Sequence, residues 1–209
     1  MASAQLRAAD RRDEPTDAPQ RLEAGLVHPL SSLRGGIGGV MSLRHVFTTD
    51  GTMTTHHETA AEIETVIEAW RIKLLGLDPE VVHVKPEPDR WSLSEVVGHL
   101  IDSACNNHQR FVRAQHCTEL VFPKYHQNEW VAAANYRACE WESLIELWYH
   151  YNRQIAVLIR HIPESKLAIP CTITPYETCT LGFLVTDYLE HLHHHCGKLS
   201  ERITTERAT

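Results

Sequence analysis

The amino-acid sequence predicts an all-α protein, a four-helix bundle preceded by an N-terminal extension. Four long segments carry apolar residues at the spacing of one helix face, which is the pattern of helices that pack on a common core. Two of these segments open with a Ser or Thr followed three residues later by Glu, a signature of helix N-termini. The sequence shows no alternation of strand and helix patterns and no repeat at a fixed period. A bundle is the simplest packing that buries four such apolar stripes.

The composition is that of an ordinary globular protein with an acidic balance. The chain has 209 residues, of which 43% are hydrophobic and 22% charged, and its formal net charge is -7. A general nucleic-acid binder would need a basic surface, so nucleic acid is not an expected partner. No apolar run approaches the roughly 18 residues of a membrane span, and the segment 1–20 lacks the apolar centre of a secretory signal. The expected location is therefore cytoplasmic, without a membrane partner.

The segment 1–52 is predicted to be a flexible extension rather than part of the bundle. It contains three prolines, mixed charges and the glycine-rich stretch 34–40, and no helical or strand period emerges from it. Residues 53–209 are predicted to form the bundle domain. Met41 and Met53 lie near the end of the extension, so a later start of the protein is an alternative.

The first predicted helix begins after Thr55 and ends near Gly76. Thr55 and Glu58 have the spacing of a capping box, and Gly76 with Pro79 gives a stop signal. The apolar residues in between are mostly at helical spacing: Ile63, Val66, Ile67, Trp70, Ile72, Leu74 and Leu75.

The second predicted helix opens with a capping box formed by Ser92 and Glu95 and continues to about Gln115. Its apolar stripe has the repeat of a bundle helix: Leu93, Val97, Leu100, Ala104 and Phe111.

The remaining helices are predicted over 127–161, with an interruption near 136–140, and from Leu181 to Ile203, with Thr180 as the N-cap. The proline-containing link between them is predicted as a loop that could hold a short extended piece. Cys171 and Cys179 in this link could meet across a turn, although a disulfide is not the expected state.

Histidines are the most informative residues, since the sequence has fifteen of them and four lie between positions 191 and 195. At about 100° per residue, His191 and His195 share one face of the last helix beside its apolar stripe. His193 points to the opposite side from that pair, and His194 lies nearly opposite the apolar stripe. Two imidazoles at this spacing can converge on one metal ion, but a solvated polar face would look the same.

The second helix offers a third imidazole, His99, which lies about 120° from the apolar stripe of that helix. It shares this direction with Ser103, Asn106 and Arg110. Such a row is either a solvated face or the lining of a cleft beside the apolar seam. Asp102, three residues after His99, could orient a metal ligand from behind.

Two segments resemble the signature segments of the DinB/YfiT-like superfamily of metalloenzymes. They are RWSLSEVVGHLIDSACNNHQRF at 90–111 and LEHLHHHCGKL at 189–199, and the resemblance extends over about 56–204. It implies a DinB-like four-helix bundle with up-down-down-up connections. It also implies that a metal is bound by one His of the second helix and an H-x-x-x-H pair of the last, which here are His99, His191 and His195.

Three neutral imidazoles suit a divalent ion such as zinc, nickel, cobalt or ferrous iron, with coordination positions left open for water or substrate. The resemblance implies a small-molecule substrate, which could be a low-molecular-weight thiol, and a thiol-dependent transferase or isomerase or a hydrolase. Asn106 and Arg110 are candidates for orienting an anionic substrate. The alternatives are a non-catalytic metal-binding or stress-related module and a helical interaction protein without metal. A homodimer is also left open.

Overall fold

The computed structural model describes residues 55–206, which form six helices linked by short turns and a small sheet. The helices are α1 (His56–Leu75), α2 (Pro79–Val82), α3 (Leu93–Ala114), α4 (Gln127–Ala134), α5 (Trp141–Arg160) and α6 (Leu181–Glu206). The strands are β1 (Leu120–Pro123), β2 (Pro170–Thr174) and β3 (Cys179–Thr180). The predicted all-α bundle is confirmed. The predicted extension 1–52 lies outside the described residues, and the domain boundary at residue 53 stays a prediction.

The four long helices α1, α3, α5 and α6 form the bundle. Helix α1 packs against both α5 and α6, and α3 packs against the same two helices. Ion pairs between Arg71 and Glu146 and between Arg160 and Glu64 connect α1 to α5 in antiparallel order. Four stripes thus meet on one core, as the sequence predicts.

The contacts define two antiparallel helix pairs, as the up-down-down-up arrangement requires. Helices α3 and α6 are antiparallel, because the His99 ring lies against His195 while Phe111 lies against Tyr188. Helix α1 is antiparallel to α5 and lies beside α6, where Glu62 is 3.6 Å from His193. The early part of α3 therefore faces the later part of α6, which is where the histidines are.

Both predicted capping boxes are present. The Thr55 hydroxyl accepts the backbone N–H of Glu58 at 3.2 Å, and the Glu58 carboxylate accepts the N–H of Thr55 at 2.7 Å. Ser92 and Glu95 form the same pair of hydrogen bonds at 3.2 and 2.7 Å. An N-cap of this type stabilises a helix by about 1 kcal/mol. The second box fixes where α3 begins and therefore which face of that helix carries His99.

The predicted apolar stripes form the core. All five stripe residues of α3 are at most 3% exposed. In α1 the prediction is wrong for Ile72, which is 65% exposed. Ile72 lies on the outer side of α1, opposite the face that carries the other apolar residues. Its position in the helical repeat therefore does not lead to burial. Among the helices of residues 55–206, none combines the length and the apolar character that a membrane span requires.

A three-stranded sheet, in the order β1-β2-β3, joins the two long links of the bundle. Strand β1 pairs in parallel with β2, with Leu120 opposite Cys171, and β2 pairs in antiparallel order with β3, with Cys171 opposite Cys179. From the sequence these segments are predicted as a break and a loop, with an extended piece anticipated only in the second. The strands are two to five residues long, and β1 and β2 each contain a proline, so their local signal is weak and the pairing depends on contacts distant in sequence. Both thiols are free.

The predicted interruption of the third helical region is present and brings Tyr136 against α3. Helix α4 ends at Asn135, which has the left-handed φ of 52°, and a 3-10 turn at Tyr136–Ala138 follows. The Tyr136 ring packs on Gly98, where an added Cβ would lie 2.0 Å from the ring atom Cδ2. Only glycine at position 98 allows this approach, one residue before His99.

Replacing Gly98 by Ala is expected to destabilise the protein by about 1–3 kcal/mol, because Tyr136 must leave its position or α3 must shift. Gly197→Ala is the matched control, since an added Cβ there meets nothing within 4 Å and helix propensity favours Ala by about 0.5–1 kcal/mol. Denaturant unfolding of both variants tests the assignment. Equal stabilities for Gly98→Ala and Gly197→Ala would contradict it.

Candidate metal centre

Three histidines from two helices converge at one point of the bundle. Helix α3 supplies His99, and α6 supplies His191 and His195 from adjacent turns. His99 Nε2 lies 3.3 Å from His191 Nε2, which lies 3.1 Å from His195 Nε2. One ring nitrogen from each residue lies within 4.8 Å of the others, so the structure brings together all three residues that the sequence analysis selects.

These separations fit coordination to one ion. For zinc–nitrogen bonds of about 2.0–2.1 Å and tetrahedral angles, two ligand nitrogens are separated by about 3.3 Å. The observed 3.3 and 3.1 Å agree with this value, and the third pair of nitrogens lies within 4.8 Å. The donor set therefore fits a divalent ion in its chemistry and in the two separations around His191.

Hydrogen bonding among the rings does not account for the arrangement as well. The Nε2 atom of a neutral imidazole carries either one proton or one lone pair. The Nε2 atom of His191 faces those of both His99 and His195 within hydrogen-bond distance. One lone pair or one proton cannot make two good hydrogen bonds at once, whereas three lone pairs pointing at an ion satisfy all three rings.

Burial keeps the three rings neutral. His99 is 0% and His195 4% exposed, and His191 is half-buried. Burial lowers the pKa of each ring well below the usual histidine value, and the neighbouring rings lower it further. The positive charge of Arg110 also contributes to the lowered pKa of His191. Neutral imidazole is the form that binds metal.

Aromatic rings form one wall of the centre around His99. The centroids of the Trp91 and Tyr125 rings lie 5.1 and 6.3 Å from that of His99, and Trp130 lies 5.1 Å from Tyr125. Trp130 is 40% exposed, so it belongs to the outer rim of this wall. Tyr125 was missed because it follows β1 in a segment without periodicity.

Arg202 of α6 holds the backbone at Trp91 in position. Its Nη1 donates to the Trp91 carbonyl at 2.6 Å and its Nη2 to the Val84 carbonyl at 3.3 Å. Arg202 lies seven residues after His195, on the same face of α6. Helix α6 therefore supplies two of the three imidazoles and also anchors the loop whose tryptophan covers the third.

A polar row follows His99 along α3, although its members differ in part from those expected. Ser103 Oγ lies 3.4 Å from His191 Nδ1, and Asn107 donates to Ser103. Arg110 Nη1 donates to Asn107 Oδ1 at 3.2 Å. The side chain of Asn106 instead donates to the Asp102 carbonyl at 2.9 Å. Helical phase alone did not separate the two adjacent asparagines.

Asp102 does not make a hydrogen bond with His99 in this structure. Its Oδ1 accepts the Tyr136 hydroxyl at 2.6 Å, while its buried Oδ2 has no hydrogen-bond partner among residues 55–206. The same is true of His99 Nδ1. Burial raises the pKa of Asp102 to about 6, and the hydrogen bond from Tyr136 opposes that shift.

The other two histidines of α6 lie outside the centre. The His193 side chain is 42% exposed, and its Nε2 is 3.6 Å from Glu62 Oε1, which agrees with the direction expected for it. His194 is half-buried, although its phase predicts a position nearly opposite the apolar stripe. Its ring packs edge-on against His195 at 5.2 Å.

Comparison with known proteins gives one family match and two similar structures. The sequence profile of the DinB superfamily matches residues 55–199. The chain is similar to YfiT from Bacillus subtilis, described as "a probable metal-dependent hydrolase with an unusual four-helix bundle topology", with 18% identity, a TM-score of 0.65 and coverage of 79% of this chain and 95% of YfiT. It is also similar to the mycothiol-dependent maleylpyruvate isomerase, with 16% identity, a TM-score of 0.56 and coverage of 69% of this chain and 62% of the isomerase. At these identities the likeness concerns the fold. No curated protein matches the sequence significantly.

The buried neutral histidines predict that the metal-free protein loses stability as the pH falls. Above the unfolded histidine pKa of about 6.5 their contribution is fully present. Below it the unfolded chain takes up protons that the folded rings, with lowered pKa values, do not bind, so unfolding is favoured. Asp102, with its raised pKa, acts in the opposite sense.

The measurement is denaturant unfolding with chelator at about pH 7.5 and about pH 5.5, on either side of the free imidazole pKa. His195→Gln should reduce the loss of stability between the two pH values, and His193→Gln, at an exposed position, should leave it unchanged. An identical pH response in the wild type and His195→Gln would contradict the assignment.

Proposed function

The chain belongs to the DinB superfamily, and from that premise we propose that it is a metal-dependent enzyme that acts on a small molecule. The observation that carries the proposal is the convergence of three imidazole nitrogens from α3 and α6, two on buried rings and one on the half-buried His191. His99, His191 and His195 would bind one divalent ion, with zinc, nickel, cobalt and ferrous iron as the candidates. Three protein ligands leave positions open, which is typical of a catalytic and not of a closed structural site.

A divalent ion in this position supplies Lewis-acid chemistry, which makes a water or a thiol a nucleophile near neutral pH. The protein's own contribution begins with the exclusion of water by Trp91 and Tyr125 on the His99 side. A dry surrounding strengthens every electrostatic interaction within the site.

We further propose that Asp102 orients His99. When Nε2 of His99 binds metal, its Nδ1 carries the proton and needs an acceptor. His99 Nδ1 and Asp102 Oδ2 lie one helical turn apart in sequence, and both are buried without a hydrogen-bond partner among residues 55–206. A small adjustment that joins the two atoms would satisfy both, and Tyr136 would hold the other carboxylate oxygen.

Arg110 is proposed to orient an anionic substrate. It is half-buried, near enough to His191 to lower the pKa of that ring, and its guanidinium lies 5.6 Å from the centroid of the Phe122 ring. A planar guanidinium suits a carboxylate because it can donate two parallel hydrogen bonds. Asn106 is a weaker candidate for the same role, since its Nδ2 already donates to a backbone carbonyl.

Two reaction classes follow from this proposal. The first is thiol-dependent transfer or isomerisation, in which a low-molecular-weight thiol is the second reactant. The second is hydrolysis of a small molecule. The cytoplasmic location and the homodimer remain predictions beside them.

Removing any of the three histidines is expected to abolish tight metal binding. A three-ligand site has no spare protein donor, so each Ala variant should be purified with little metal, while the wild type holds about one ion per chain. Elemental analysis gives the metal content. The wild type should also lose thermal stability on chelation, by about 2.7 kcal/mol if the free metal had been at 100 times its dissociation constant.

His193→Gln is the matched control, because this neighbouring histidine of α6 faces Glu62. It should keep its metal and its response to chelator. Full metal occupancy in His99→Ala would show that α3 contributes no ligand and would overturn the three-histidine site.

The metal-loaded protein should be active with a thiol plus an unsaturated electrophile, or with an ester or amide. Arg110→Gln should reduce the activity on carboxylate-bearing substrates more than the activity on neutral ones. Steady-state kinetics on matched acid and ester pairs measures this difference. Equal losses for both members of a pair would contradict the role of Arg110. Stoichiometric metal without turnover in either class would favour the non-catalytic metal-binding module.

A further inference from the structure

We infer that Ser103 is a positioning residue for His191, and that Asn107 and Arg110 hold Ser103 in place. The inference rests on the proposed metal centre and adds three residues of α3 that act through His191 and need not touch the ion. Their hydrogen bonds form a continuous chain that starts at the His191 ring and follows one face of α3.

The orientation of the His191 ring defines the role of Ser103. Its Nε2 points to the centre, 3.3 Å from His99 Nε2 and 3.1 Å from His195 Nε2. The other ring nitrogen, Nδ1, lies 3.4 Å from Ser103 Oγ. If Nε2 presents its lone pair to a metal, the proton is on Nδ1, so Nδ1 donates and the Ser103 hydroxyl accepts.

Asn107 supports this hydroxyl from the next turn of α3. Its Nδ2 donates to the Ser103 carbonyl at 3.0 Å and approaches Ser103 Oγ at 3.4 Å. Arg110 fixes which end of the amide faces Ser103, since its Nη1 donates to Asn107 Oδ1 at 3.2 Å. An amide held at both ends cannot rotate to offer its oxygen to Ser103.

Metal binding through Nε2 requires the His191 tautomer that carries its proton on Nδ1, and the Ser103 oxygen lies where it can accept that proton's hydrogen bond. The Asn107 amide directs an N–H group at the Ser103 oxygen from one side. His191 Nδ1 faces the same oxygen from the other side. The alternative tautomer would carry its proton on Nε2, pointing at two other ring nitrogens, and could not bind metal. Partners of this kind around a metal site change metal affinity by about 10–100-fold.

Asp102 and Ser103, which are consecutive residues of α3, would then orient different imidazoles. Asp102 and Ser103 are separated by about 100° around the helix, so they face opposite sides of the His99 direction. Asp102 lies on the side of Tyr136 and Ser103 on the side of α6. Two adjacent positions can therefore orient ligands on two helices.

The test compares Ser103→Ala with Ser103→Thr, which keeps a hydroxyl. Metal affinity is measured for zinc and cobalt by competition with a chromophoric chelator, and the tautomer of His191 is read from its ring nitrogen NMR shifts in the metal-free protein. Ser103→Ala should weaken metal binding by about tenfold, alter the visible spectrum of the cobalt form, and change the proportions of the two His191 tautomers. Ser103→Thr should restore the wild-type tautomer and spectrum.

Ser94→Ala is the matched control, since Ser94 is a buried serine of the same helix whose hydroxyl faces Ser92. It should leave affinity, spectrum and tautomer unchanged even if stability falls. Asn107→Leu should shift the tautomer in the same direction as Ser103→Ala, and it carries the test if Ser103→Ala does not fold.

Unchanged affinity and an unchanged His191 tautomer in Ser103→Ala and Asn107→Leu would overturn the inference and leave the metal centre standing. A wild-type protein that binds neither zinc nor cobalt would overturn the metal centre itself. In that case the tautomer measurement on the metal-free protein still decides whether Ser103 positions His191.

Discussion

The structure depends on the antiparallel contact between α3 and α6, which buries three imidazoles against one another. Burial alone disfavours such a cluster, because each ring is a polar group that needs a partner. His99 on α3 faces His191 and His195 on α6, with Nε2 atoms at 3.1 and 3.3 Å around His191. A contact of this kind is favoured when the rings stay neutral, and it is stabilised further when their lone pairs have a common target. Several features near the centre place α3 and α6 accurately.

Contacts at some distance from the imidazoles hold the two helices in place. On α3 the capping box at Ser92 fixes the start of the helix, and Gly98 lets Tyr136 pack against its backbone. On α6 the side chain of Arg202 binds the Trp91 carbonyl, so the wall over His99 moves with the helix that carries the other two ligands. These contacts join segments more than thirty residues apart in sequence. The geometry of the centre is therefore a property of the whole bundle and not of one motif.

The sequence predicted the parts of this arrangement that depend on local periodicity. Helix spacing gave the four apolar stripes, capping boxes gave the starts of α1 and α3, and the i, i+4 rule paired His191 with His195. It did not predict the sheet or the place of Tyr125, because both depend on short segments that meet through distant contacts. The angle of a residue on its helix could not show that Asn107 faces Ser103 while Asn106 faces the backbone. That distinction depends on side-chain rotamers, which the helical phase does not determine.

The charge of the centre gives a further reason to expect an anionic reactant. The three proposed ligands are neutral, so they leave the positive charge of a divalent ion undiminished, unlike a set that includes a carboxylate. Arg110 adds a positive charge near His191. The chain as a whole is acidic, with a formal net charge of -7, which would repel an anion at long range. Salt screens that repulsion beyond about 8 Å, whereas the buried centre acts at contact distance and in a poorly screened environment. Local charge would therefore outweigh net charge, and a thiolate or carboxylate would be favoured beside three neutral ligands that leave the charge of the ion undiminished.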